Sequence, residues 1–96
     1  MSDPLARRAD AIHHALLGME RQASDEQLFP LGYLIPQIPL VMEMVEYDPE
    51  EVLAEDFDAI FHEWLESTFS QDAMSANDQD EIRRLLAHAC AQADAA

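Results

Sequence analysis

The apolar positions of this chain recur at the spacing of helices rather than strands. Leu5, Ala9, Ile12, Leu16 and Met19 follow one another at steps of four and three, so they share one helical face, and Arg7, Asp10 and His14 point elsewhere. Asp3 is placed to cap this helix, with Pro4 at the first helical position, where a missing amide proton costs little. A polar break, Gln22 to Asp25, leads into Ser24-x-x-Gln27, which has the form of a capping box and predicts a short helix near residues 25–29.

The stretch from Leu28 to Tyr47 is the most apolar of the chain, and Pro30, Pro36 and Pro39 interrupt it. Each proline removes an amide donor and crowds the turn before it, which predicts an irregular beginning and then helix from Pro36 or Pro39 to Glu46. Two stripes compete on that helix. Leu34, Ile38, Met42 and Val45 form one, and Tyr33, Leu40, Met44 and Tyr47 form another nearly opposite, with Val41 between them. A bundle face needs only one stripe, so the second is either central or offered to another chain.

Asp48-Pro49-Glu50-Glu51 combines an N-cap acid, an N1 proline and a glutamate able to reach back, and predicts the start of the next helix. Leu53, Phe57, Ile60, Phe61 and Trp64 are its expected buried face. Glu55, Asp58, His62 and Glu66 are expected on the other side, and the helix should end between Thr68 and Gln71. Ser75 to Asp78 supplies another cap, followed by Ile82, Leu85, Leu86, Ala89 and Ala93 as an apolar stripe. With no Gly or Pro after them, Ala95 and Ala96 are expected to fray. The pattern predicts a single all-α domain over 1–96: a compact four-helix bundle with a short additional helix near residues 25–29.

Composition supports this and narrows function. Only two glycines occur, 49% of residues are hydrophobic, and β-branched residues are few beside the many Ala, Leu, Glu and Met, so the chain is too apolar for disorder and favours helix. Twenty Asp and Glu face five Arg and no Lys, a net charge of -15. Such a surface repels phosphate backbones and anionic lipid, which argues against direct nucleic-acid or membrane binding and leaves basic proteins or cations as partners. A generally acidic proteome would also give this composition with no specific partner. Met1-Ser2-Asp3-Pro4 lacks a secretory pattern, no apolar run is long enough for a membrane span, and the single cysteine cannot form an internal disulfide, so a cytoplasmic location is expected.

Ala23-Ser24-Asp25-Glu26-Gln27-Leu28-Phe29, followed by Gly32-Tyr33-Leu34, resembles the YfcL-like family of small bacterial proteins. The length, the preceding amphipathic helix and the late Ser75-x-x-Asp78-Gln79 helix start are also similar. The resemblance implies no activity, cofactor or catalytic residue, because that family is uncharacterised. Pro36 and Pro39 depart from its more continuous helical pattern after Gly-Tyr-Leu.

The residues that could carry chemistry are dispersed. His13, His14, His62, His88, Cys90 and the carboxylates are metal-ligand types, but His62-Glu63-x-x-Glu66 lacks the second histidine of H-E-x-x-H and no Glu-x-x-His pair exists for a di-iron bundle. Cys90 and His88 are two positions apart, which points them in different directions on a helix. No serine elbow or phosphate loop is present. The sequence therefore predicts no catalytic, cofactor or metal residues. It suggests a non-catalytic acidic interaction module, meeting a partner protein or a second copy through Tyr33, Leu40, Met44 and Tyr47. The alternatives are a small metal-binding protein or enzyme using His and carboxylates, and an acidic mimic of nucleic acid.

Overall fold

The computed structural model describes residues 3–95. Met1, Ser2 and Ala96 lie outside the described residues, and with Ala96 so does half of the expected frayed end. Among the described residues five helices follow in order: α1 (Pro4–Arg21), α2 (Asp25–Leu34), α3 (Gln37–Met44), α4 (Ala54–Gln71) and α5 (Ala76–Ala95). Because Ile35 and Pro36 between α2 and α3 keep right-handed helical angles, these two are arms of one bent stretch, and the architecture is an all-α bundle.

Local chemistry explains the helix starts. Asp3 Oδ1 accepts the Ala6 amide at 2.8 Å and Pro4 opens α1; Gln27 Oε1 accepts the Ser24 amide at 3.4 Å at the start of α2. Ser75 Oγ accepts the Asp78 amide at 3.2 Å before α5. At the α4–α5 junction Ala73 takes a left-handed conformation (φ 50), with Met74 N–H donating to the Phe69 carbonyl at 3.1 Å and Ala73 N–H to the Ser70 carbonyl at 3.4 Å. That is a Schellman closure, made here without the usual glycine.

Three boundaries differ from expectation. The helix at residues 25–29 continues to Leu34 through Pro30, since the proline ring is buried with Leu31 and Leu34 and that packing outweighs one missing backbone bond. α3 starts at Gln37 and stops at Met44, so Glu46 and Tyr47 lie in an extended linker. The Ile35 carbonyl, which Pro39 cannot serve, accepts instead from Ile38 N–H at 3.3 Å. Finally, Asp48-Pro49-Glu50-Glu51 forms one isolated turn, with Asp48 Oδ1 accepting from Glu50 N–H at 2.9 Å and its carbonyl from Val52 N–H at 3.2 Å. α4 opens later, where Asp56 Oδ2 accepts the Leu53 amide at 2.8 Å.

α1 sits between α4 and α5, and α5 also packs on α2. Its stripe Leu5, Ala9, Ile12 and Leu16 is buried as the spacing predicts, and α5 contributes Ile82, Leu85 and Ala89. On α4 the buried line is Phe57, Phe61, Leu65 and Phe69, a strict four-residue repeat. Leu53 is exposed instead, and Ile60 and Trp64 are only partly covered. The reason is rotational: apolar residues cover much of the α4 circumference, and α1 selects the side that includes Leu65 and Phe69.

Candidate functional site

The four residues singled out from the sequence fall into two pairs. Leu40 and Met44, one turn apart on α3, are 44% and 65% exposed. Tyr33 and Tyr47 are half-buried and fasten the bundle. The Tyr33 hydroxyl donates to Asp72 Oδ2 at 2.9 Å and lies 2.9 Å from Thr68 Oγ1, with its ring stacked 6.1 Å from that of Phe69. The Tyr47 hydroxyl donates at 2.9 Å to Asp3 Oδ2, on the carboxylate that caps α1.

Burial is the main force pushing both phenols above the ordinary tyrosine value, and the adjacent carboxylates push the same way. A phenol with a raised folded-state pKa adds stability below its unfolded value and loses it as pH climbs through the folded one. Thermal stability should therefore fall above about pH 10 as the two hydroxyls ionise. Tyrosinate absorbance checks this: the folded protein should ionise later than the urea-unfolded chain, and coincident curves would show that the two phenols are not held half-buried beside Asp72 and Asp3. At the acid end the Ala6 amide holds Asp3, and Arg83 holds Glu66, below the usual carboxyl range, so those contributions disappear as pH drops below about 4.

Beside Leu40 and Met44 runs a shallow groove of about 330 Å³, lined by Val41, Met44 and Val45 from the α3 end and by Ile60, Glu63, Trp64 and Ser67 from α4. Trp64 Nε1–H donates to Gln37 Oε1 at 2.9 Å, so the indole's polar edge is satisfied within the chain and its apolar surface stays at the groove. Ile60, Trp64, Val41 and Val45 were not read as site residues from the sequence. Their signal was that both the α3 stretch and α4 carry more apolar residues than one buried face can use.

The charges are segregated. Between Arg21 and Arg83 the chain carries sixteen Asp and Glu and no Arg or Lys, so every arginine lies on α1 or α5. Arg8 forks onto Asp58 of α4 at 2.9 and 2.9 Å and reaches Asp94 at 2.6 Å. Arg83 forks onto Glu66 at 3.0 and 2.8 Å and lies over the Phe69 ring, and Arg84 pairs with Glu81. On the α4 wheel Asp58 and Glu66 occupy the flank opposite the groove side. Glu63 lines the groove, and Glu43 and Glu46, both exposed, flank Met44 and Val45 in the chain.

The candidate ligands and nucleophile are dispersed. His14, His62 and His88 are exposed on three different helices, and His13 is half-buried on α1. Among the described residues no three His, Cys, Asp or Glu side chains converge on a common point, and no polar side chain is buried. Cys90 is half-buried, and burial, reinforced by Asp58 and Asp94, pushes its thiol up, which disfavours the nucleophilic thiolate. No helix of the described residues is long and apolar enough to cross a membrane.

Fold and site together define a small all-α bundle with a shallow groove between α3 and α4 that is lined mainly by apolar side chains and by the carboxylate of Glu63. No family model, curated protein or solved structure matches this chain.

Proposed function

We propose that this protein is a non-catalytic interaction module of the cytoplasm that binds another protein through the α3–α4 face. The observation that carries this reading is the exposed pair Leu40 and Met44 beside the Ile60–Trp64 groove, an apolar surface that water disfavours and a second protein would cover. The carboxylates of a chain with a net charge of -15 set electrostatic preference and encounter rate. The half-buried tyrosines serve the face indirectly: Tyr33 anchors the α2 arm to the end of α4, and Tyr47 anchors the linker after α3 to α1.

Affinity capture from the source cells, with wild type and a Leu40→Asp/Met44→Asp variant in parallel, tests the reading. The two proteins should have matching helical circular dichroism and melting curves, because a carboxylate at either exposed position is solvated. Wild type should retain a stoichiometric protein that the variant loses. Identical captures would sink the proposal, and so would unfolding of the variant, which would show that Leu40 is core.

A further inference from the structure

We infer that the cavity between the C-terminal end of α1, α2 and α5 binds a small organic monocarboxylate. This site is separate from the interaction reading above, since it shares no lining residue with the α3–α4 groove. It holds about 460 Å³, within the ~300–1,000 Å³ of small-molecule sites. Buried Leu31 and Leu85 and half-buried Met19 form the apolar part of its lining. The polar part comes from all three sides. Arg84, His88 and Gln92 follow one another at single turns along α5, and Gln22 at the end of α1 and Gln27 of α2 complete it.

Charge distinguishes this cavity from its neighbours. The chain has twenty Asp and Glu, and four other cavities of the described surface each carry at least one of them, such as Asp58, Glu26, Glu63 and Asp10. None lines this one, whereas Arg84 does. Glu81 accepts from Arg84 Nε at 3.2 Å and from Nη2, but it lines the adjoining cavity, so Arg84 turns the cationic end of the pair to this side. That pairing does not use Arg84 Nη1. Gln27 Oε1 accepts the Ser24 amide, which leaves the Gln27 NH₂ as donor.

A guanidinium edge, amide N–H groups and an imidazole together suit a ligand group that only accepts, and an ionised carboxylate is such a group. One cation matches one negative charge. A phosphate dianion would bring a second, uncompensated charge to a chain at -15. The apolar lining takes the hydrocarbon body of the ligand. Gly18 also lines the cavity, and a Cβ there would meet no atom within 4 Å, so a larger side chain at this position enters the cavity without disturbing the core.

The probes are isocaproate, its neutral amide isocaproamide, and inorganic phosphate, titrated at about pH 7, where the carboxylate is ionised. The proton–nitrogen NMR spectrum gives the readout, because the side-chain amides of Gln22, Gln27 and Gln92 line the cavity. Isocaproate should shift all three saturably, with Kd on the order of 1 mM. Isocaproamide and phosphate should bind at least about tenfold more weakly. Arg84→Gln should weaken isocaproate about tenfold or more, whereas Arg7→Gln, which removes the same charge from an exposed position near the start of α1, should change it less than about twofold. Gly18→Leu should abolish the shifts and melt no lower than wild type, since leucine is the better helix former.

No saturable shift up to about 20 mM isocaproate overturns the inference. So does equal binding of isocaproamide or phosphate, or binding that Arg84→Gln leaves unchanged. Shifts that persist in folded Gly18→Leu would place the ligand elsewhere and overturn it as well. If Gly18→Leu fails to fold, the comparison of Arg84→Gln with Arg7→Gln decides.

Discussion

Phe61→Ala should lower the unfolding free energy by about 3–5 kcal/mol, the usual cost of deleting a large buried aromatic. Phe61 is 1% exposed, and its ring stacks on Phe57 with centroids 5.3 Å apart. Phe61 stands between Phe57 and Leu65 in the buried line of α4, the helix that packs on α1. Domains of this size have about 5–15 kcal/mol in total, so the substitution should bring the chain near its folding threshold. Urea unfolding followed by circular dichroism measures the loss. Trp64→Ala is the internal comparison: its ring is partly exposed and one hydrogen bond ties it to Gln37, so about 1–2 kcal/mol is expected. A Trp64 deficit equal to that of Phe61 would mean that α4 buries the Ile60–Trp64 side, and the groove would then not exist.

Arg8→Met should cost about 2–3 kcal/mol, more than a surface ion pair is worth. The Arg8 side chain is only 12% exposed and joins three helices, leaving α1 to reach Asp58 on α4 and Asp94 on α5. Both carboxylates are much more accessible than the guanidinium, which keeps the cost below that of a fully buried pair broken on one side. The Asp58 hydrogen bonds are the largest of the interactions that raise the Arg8 pKa, followed by those of Asp94. Methionine keeps most of the packing volume but leaves two acids near each other in a chain already at -15. Added salt should therefore shrink the deficit. Asp94→Asn, at the exposed end of the cluster, should cost under about 0.5 kcal/mol. An Arg8→Met deficit equally small, or one that salt leaves unchanged, would remove the three-helix junction as a source of stability.

How much of this was readable in advance depends on the range of the interaction concerned. α1 was legible because Asp3, Pro4 and the stripe Leu5 to Leu16 act within a few residues, and the starts of α2 and α5 were legible for the same reason. The start of α4 was not, since Asp48 and Asp56 both make local caps and only packing decides which turn continues. Pro30 was read as an interruption because its lost bond is local, whereas the burial of Leu31 and Leu34 that offsets it comes from other helices.

The candidate site shows the same division. The sequence by itself determined the helical class, the acidity, and the presence on α3 of more apolar surface than one face requires, since each depends on composition or on spacing within one element. It could not assign the tyrosines, because Tyr33 meets Asp72 and Tyr47 meets Asp3 across 39 and 44 positions. Nor could it show that Met44 and Val45 close a groove with Ile60 and Trp64, or that Arg8 and Arg83 pair with acids on α4's opposite flank. Those are outcomes of how the helices rotate and pack. Helix rotation is chosen by the whole core, so side chains with similar local patterns, such as Leu53 and Leu65, end on opposite sides of the water boundary.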